Sequence, residues 1–555
     1  MSLTTRLTVA DSGDVYHILE TVLKTVLPEE RVITDPLRLH AYGDDASMYR
    51  LTPKVVVRVE KEEEVLSILR CCRAFATPIT FRGAGTGLSG QSVTDSVLMV
   101  LGDGWDGIKI EENGKKIRLQ PGVIGAAANR HLASFARKIG PDPSSIDSAY
   151  IGGMAANNAS GMCCGTTENS YQTMHSMRVI LADGSILDTG DASSRKAFTL
   201  SHANLLGRID AMAKAVKDNA SLVERIRHKY RLKNTMGYSL NALIDFEDPI
   251  DILQHLMIGS EGTLGFIAEI TYRTVVELPK KASALVVFPD IFEAARLVAK
   301  LAGAPTSAVE LLDYLSIKAI EKMPGMPESI VGVPDGAAAL LIETRALGEE
   351  SLRGNIEIIK SIIDAGKVLS NWEFTSDQNV AKTYWNVRKV VFPAVAGARP
   401  PGTTVIIEDV AFKVEDLAEG VLDLQRLLGK YHYQEAVIYG HARDGNMHFV
   451  IYQDFSNPKE IERYRLFLDD VCDMVVKKYD GSLKAEHGTG RNMAPYVALE
   501  WGEEGYALMR EIKGLFDPEN ILNPGVIINK DKEAKNTSPF DKPMRLCRLS
   551  VAAAV

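Results

Sequence analysis

Residues 77–101, TPITFRGAGTGLSGQSVTDSVLMVL, place four glycines and several small hydroxyl residues between two apolar runs. Glycine is required where backbone approaches a ligand closely or takes positive φ, and successive N–H groups in such a loop form an anion-binding nest. Gly83, Gly85, Gly87 and Gly90 supply that freedom, and Arg82 adds positive charge, so the stretch reads as a phosphate cradle. Residues 85–90, GTGLSG, also fit the GxGxxG of a dinucleotide-binding Rossmann unit, which needs a helix opening at the last glycine. No amphipathic helix follows Gly90. The next run, Val97, Leu98, Met99, Val100 and Leu101, is short and apolar and reads as a strand. A strand–loop–strand cradle is a different architecture.

Working outward, residues 55–59 read as a strand and 62–75 as a helix, with an amphipathic helix over 14–28 before them. Downstream, residues 117–120 predict a strand, 124–138 a helix, and 177–181 with 185–188 a hairpin around Asp183-Gly184. Residues 151–165, IGGMAANNASGMCCG, are almost all small, so they can lie flat against a large planar ligand. Residues 193–230 are helical and charged, a lid or an insertion. They lead into a polar patch, Arg231, Lys233 and Asn234, whose plain reading is a helix C-terminal charge cluster. GSEGTLG at 259–265 supplies a second close-approach loop, and a domain boundary falls near 278–279. Beyond it strands alternate with helices at 291–302, 349–365, 414–430 and 458–479, predicting an α+β cap domain with an antiparallel sheet.

Length, 555 residues, suggests two to four domains, and the 46% hydrophobic and 24% charged fractions are those of an ordinary globular protein. Net charge of −9 argues against a nucleic-acid-binding surface; an anionic substrate needs a local basic site. Six cysteines with no CxxC provide neither a disulfide framework nor an iron–sulfur spacing. No signal peptide and no run of 18 apolar residues is present, so the expected location is cytoplasmic, with a peripheral place at the inner membrane as the alternative.

Residues 441–448, HARDGNMH, carry two histidines with Asp444-Gly445 between them. In one continuous strand their odd spacing would put them on opposite faces, whereas an Asp-Gly turn brings both imidazoles to one side. Two histidines and a carboxylate form the ligand set of an open site for Zn²⁺ or a similar divalent ion, with Glu486 of KAEHGTG (484–490) as the candidate third ligand. A structural histidine pair is the competing reading.

RGAGTGLSG (82–90), the preceding PKVVVRVEKEEEVLSIL, and the later IGGMAANNASG and GSEGTLG resemble the FAD-binding half of vanillyl-alcohol oxidase type flavoproteins. GHARDGNMH, KAEHGTG and FDPENILNPG resemble the D-lactate, D-2-hydroxyglutarate and glycolate dehydrogenase branch, with the likeness running over roughly 30–528. The resemblance implies an α+β fold: a two-subdomain FAD-binding domain over 1–279 with a helical insertion at about 193–230, a cap over 280–494, and 495–528 returning to the FAD domain. It implies non-covalent FAD held by Arg82, Gly83, Ala84, Gly85, Thr86, Gly87, Leu88, Ser89, Gly90, Ser144, Gly152, Gly153, Asn157, Ser160, Gly161, Glu261, Gly265, Ile267 and Asn523. It further implies a divalent metal, zinc first, on His441, His448 and Glu486, His487 as the base, and Arg388 as the carboxylate anchor, with Lys233 and Arg399 as further substrate contacts. For Arg399 a solvent-facing loop arginine is the competing reading.

Val450, Phe392 and Ile407 stand where the hydroxyglutarate enzymes carry asparagine, threonine and lysine, and FPAVAGARPPGTTVIIEDVAF resembles the longer bacterial D-lactate dehydrogenase-like enzymes. The expected reaction is oxidation of a D-2-hydroxy acid, D-lactate first and D-2-hydroxyglutarate second, with electrons passing to a quinone, cytochrome, flavoprotein or iron–sulfur protein. An oxidase of the same fold and a noncatalytic flavin subunit of a larger glycolate-oxidising complex are the rivals, and whether the chain forms a homodimer stays open. Residues 529–555 resemble nothing and read as truncated or disordered.

Overall fold

A computed structural model describes residues 12–369 and 371–529, so the expectation for 529–555 falls almost wholly outside the described residues. Strands Val55–Val59 and Ile79–Arg82 both pair in parallel with Val97–Leu101, which sits between them. Helix Glu62–Ala74 makes the first crossover, and the glycine loop 83–96 makes the second with no helix, as the missing amphipathic pattern requires. Val32–Ile33 completes this four-stranded sheet.

The second sheet is antiparallel throughout, in the order Ile108–Glu111, Lys116–Leu119, Gly265–Arg273, Met174–Leu181, Ile186–Asp188. The helix expected over 124–138 is shorter than that: it spans Gly125–Leu132, and a 3-10 turn over Ala133–Phe135 leads to Ala136 at φ +52. That left-handed residue stops the helix and lets Arg137–Lys138 pair with Val275–Val276. Helices Ala192–Ser201, Ala203–Asp218 and Ala220–Arg231 bury Leu206, Ile209, Val216, Leu222 and Ile226 in the main core. They pack against that core.

The third sheet has six antiparallel strands in the order Lys280–Phe288, Ala338–Ala346, Ala308–Leu312, Val437–His441, Asn446–Gln453, Thr404–Ala411. Alternation sends Val309, Leu311, Ile406, Val410, Ile438 and Phe449 to the face with Leu297, Leu424 and Phe467. The opposite face carries Leu312, Val437, Tyr439 and Val450 against Val387, Val391 and Val395 of helix Gln378–Gly397. Glu310, Asp409, His441 and His448 share the strand parity of that second face. The 495–528 segment provides helix Val497–Phe516 and then meets the edge of the first sheet, where the Asn523 N–H donates to the Ile79 carbonyl at 2.8 Å.

Candidate active site

Between the first two sheets and the small-residue helix Ile151–Asn157 lies a cleft with about 1340 Å³ of empty space. Of the nineteen residues expected at the flavin, Arg82, Gly83, Ala84, Gly85, Thr86, Gly87, Leu88, Ser144, Gly152, Gly153, Asn157, Ser160, Glu261, Gly265 and Ile267 line it. Gly85 takes φ +71, and a Cβ at Gly153 would meet no protein atom within 4 Å, so the wall there is bare toward the opening. A flat, phosphate-bearing cofactor fits a cradle of this shape and composition.

Four expected contacts do not line the cleft, and one that does has its charge engaged. Ser89, Gly90, Gly161 and Asn523 stand behind the wall. Gly90 packs on Tyr49, the Gly161 carbonyl accepts from Lys233, and Asn523 clamps the Gln91 and Glu261 carbonyls. The Arg82 guanidinium donates to the Ser92 and Tyr42 carbonyls, so it builds the loop. Gln91, Ser92 and Tyr150, absent from the sequence expectation, line the cleft. The Gln91 amide ties Asn157 to the His487 carbonyl.

Glu486 and His487 also line this cleft. They reach it because Gly490 takes φ +58 and seats against Ser89, whose carbonyl oxygen would lie 2.0 Å from any Cβ there. Glu261 secures the same turn, its two carboxyl oxygens accepting from Gly490 N–H at 3.1 and 2.9 Å. Burial raises the Glu261 pKa to about 8 from 4.5, against the lowering effect of that N–H and of Lys484. The folded protein therefore binds more protons than the unfolded chain between pH 4.5 and 8, and stability falls as pH rises through that window. The expected total is about 5 kcal/mol, of which about 3.5 kcal/mol falls between pH 5 and pH 8. Denaturant unfolding of the ligand-free protein at pH 5 and pH 8 tests this: the Glu261→Gln variant should gain on the wild type by the smaller of these amounts, and an unchanged difference would refute it.

Past Glu486 the two histidines converge. Gly445, at φ +67, closes the turn between Val437–His441 and Asn446–Gln453, and the His441 and His448 ring centres come within 5.1 Å. Ligand atoms of His441, His448 and Glu486 all lie within 4.8 Å of one another, all three residues buried. Glu486 Oε1 is 2.9 Å from His441 Nε2 and 3.5 Å from His448 Nε2. Two imidazoles and a carboxylate at these separations suit a divalent ion of the zinc class.

The electrostatics follow from burial against paired charge. Burial raises the Glu486 pKa, but His441 and Lys233 outweigh it and hold the carboxyl well below its usual range. Burial also lowers His441, yet Glu310 and Glu486 lift it to about 9, so without an ion the ring carries a proton that a metal would displace. Burial, with His487 adding to it, drives His448 well below its usual value, leaving it neutral.

Lys233, expected at the substrate, has other partners: its fully buried ammonium donates to Glu486 Oε2 at 3.0 Å and the Gly161 carbonyl at 2.7 Å. Its charge balances that of Glu486. Arg399 lies past the end of helix Gln378–Gly397, exposed and donating to the Ala396 carbonyl. Arg388, in the same helix, is buried, stacks 4.5 Å over the Tyr439 ring and donates through Nε to Glu310 Oε2 at 2.7 Å. Its two Nη groups make no hydrogen bond among the described residues, which leaves the planar end of the fork for a carboxylate.

Sequence reasoning missed Glu310 and Asp409. Glu310 pairs in register with His441 and bonds its Nδ1 at 2.7 Å, so one buried carboxylate joins Arg388 to His441. Asp409 pairs in register with His448 and lies 3.3 Å from His487 Nδ1. The available signal was a carboxylate inside an apolar strand, alone in AVELL for Glu310 and next to Glu408 in TVIIEDVA for Asp409, which must find a partner once buried.

The FAD binding domain family matches residues 53–190, and the family described as FAD linked oxidases, C-terminal domain, matches 278–527. Glycolate oxidase subunit GlcD of Bacillus subtilis is 27% identical over 519 residues, 93% of this chain and 97% of that protein. The mitochondrial D-lactate dehydrogenase (cytochrome) of Arabidopsis thaliana is 28% identical, over 91% of this chain and 79% of its own. D-2-hydroxyglutarate dehydrogenase of Escherichia coli K12 is also 28% identical, over 87% of this chain but 49% of that protein. Among solved structures, p-cresol methylhydroxylase superposes with a TM-score of 0.68 at 15% identity, covering 94% of this chain and 98% of that one.

Proposed function

Because the chain belongs to the FAD-linked oxidoreductases that join an FAD binding domain to an FAD linked oxidases C-terminal domain, we propose that it oxidises a D-2-hydroxy acid to the 2-oxo acid, with D-lactate the first substrate to test. The observation that carries this reading is the adjacency of His441, His448, Glu486 and His487 to the flavin cleft. When bound, FAD supplies a hydride acceptor and a divalent ion, zinc first, supplies a Lewis acid for the 2-hydroxy group. Arg388 binds the substrate carboxylate through its free Nη groups, held at the right height by Glu310 and Tyr439. His487 accepts the hydroxyl proton as the C2 hydrogen leaves with its electron pair. Lys233 keeps Glu486 ionised.

The apolar surroundings favour a short or apolar substrate tail. Val450 is fully buried in the cluster that Phe392 and Ile407 pack against, so none of the three offers a partner for a second carboxylate. A second reading has its own support: the near end-to-end likeness to a glycolate oxidase subunit favours glycolate as substrate, with electrons handed to a larger complex. No helix among the described residues is long and apolar enough to cross a membrane.

The deciding experiment is anaerobic bleaching of the flavin by glycolate and by D- and L-2-hydroxy acids, before and after chelation and on addition of Zn²⁺ or Mn²⁺. Metal-dependent bleaching by one D-acid supports the dehydrogenase, and bleaching by glycolate alone supports the second reading. If no acid bleaches metal-loaded, FAD-loaded protein, the catalytic proposal fails.

A further inference from the structure

Among the described residues, three buried side-chain atoms near the cleft have no hydrogen-bond partner: Asp409 Oδ1, His448 Nδ1 and His487 Nδ1. They belong to residues whose ligand atoms lie within 4.8 Å of one another. Asp409 is fully buried, faces His448 in strand register, and has its Oδ1 3.3 Å from His487 Nδ1. The His448 and His487 rings stack nearly parallel, 9° apart, with centres separated by 5.0 Å. The other carboxylate oxygen, Oδ2, is already occupied by the Glu486 backbone N–H at 2.6 Å, and Lys484 Nζ, 3.8 Å from Oδ1, balances the charge.

One proton assignment satisfies all three orphans. A carboxylate oxygen accepts two hydrogen bonds, and each neutral imidazole has one N–H and one lone pair. With the N–H at Nδ1 on both rings, each can turn it toward Asp409 Oδ1, and both Nε2 lone pairs are left free. His448 Nε2 is the atom near Glu486 Oε1. We propose that Asp409 is a shared positioning residue that fixes both His448 and His487 in the Nδ1–H tautomer, so that a single carboxylate prepares the metal ligand and the base together. This rests on the reading of His448 as ligand and His487 as base.

Two variants test it. In Asp409→Asn, the Glu486 N–H still requires an oxygen at the Oδ2 position, so the amide NH₂ occupies the Oδ1 position and donates toward both rings. Each Nδ1 must then accept and each Nε2 carry the proton, which removes both working lone pairs. The expected results for Asp409→Asn are a Zn²⁺ affinity about 10–100-fold weaker and a kcat about 10³–10⁴-fold lower at saturating ion. FAD content and the KM of the acid should stay unchanged. Asp409→Ala leaves each ring free to adopt either tautomer with water and should lose less of both, although asparagine is the closer isostere. A merely space-filling role gives the reverse order.

A third arm needs neither metal nor substrate. Spectra of histidine-labelled protein, with only 11 histidines in the chain, separate Nδ1–H from Nε2–H rings, and two rings should switch in Asp409→Asn. The proposal is overturned if Asp409→Asn keeps wild-type affinity and rate, if Asp409→Ala falls further than Asp409→Asn, or if the wild type binds two ions per chain and Asp409→Asn loses one. If the wild type binds no ion and oxidises no acid, the functional reading fails while the tautomer spectra still judge Asp409.

Discussion

His487→Gln is expected to slow flavin reduction by the 2-hydroxy acid about 10²–10⁴-fold, the usual contribution of a positioned general base. Stability, FAD content and ion content should hardly move. Among the described residues the His487 ring makes no hydrogen bond, its Nδ1 standing 3.3 Å from Asp409 Oδ1; its side chain is 13% exposed, and it holds the cleft wall through its backbone carbonyl, which Gln91 grips at 2.9 Å. Loss of its ring therefore removes a proton acceptor without unpicking the fold. Stopped-flow reduction under anaerobic conditions measures the effect directly. A variant reducing its flavin at the wild-type rate would show that the proton leaves by another route, and the proposed role of His487 would be withdrawn.

Glu486→Gln should act on stability as well as on chemistry. The Lys233 side chain is 1% exposed and has Glu486 Oε2 at 3.0 Å as its nearest counter-charge, with Asp444 at 3.6 Å. Removing the charge of one partner in a buried pair leaves the other uncompensated, a loss of about 3–5 kcal/mol. The same substitution removes the one anion of the proposed His441, His448 and Glu486 ion site, so ion uptake and acid-dependent bleaching should be abolished. The Lys233→Met/Glu486→Gln double variant separates the two effects, because it recovers stability without recovering the ion. Denaturant unfolding and bound-ion measurement read the two arms independently. If the single variant loses less than about 1 kcal/mol, Asp444 and the Gly161 carbonyl are sufficient partners for Lys233.

Much of this site was legible before any fold was known, and for local reasons. That the loop at 83–90 joins two strands follows from the missing helical period after Gly90, and the parallel pairing of Ile79–Arg82 with Val97–Leu101 bears it out. That His441 and His448 meet follows from an Asp-Gly turn, and Gly445 at φ +67 makes it. Both are decided by turn chemistry and periodicity within about ten residues.

The charge network is another matter. Glu310 reaches His441 across 131 residues of sequence, Lys233 reaches Glu486 across 253, and Arg82 reaches the Tyr42 carbonyl across 40. Nothing in a local pattern specifies such pairings. A buried charge must find a partner, but which partner it finds depends on the register in which distant strands are laid side by side. The sequence by itself determined the cradle and the histidine turn. Only the tertiary structure decided that Arg82 builds the loop, that Lys233 pairs with Glu486, and that Glu310 and Asp409 stand behind the histidines: each charge is buried, and the fold alone fixes which partner lies within reach.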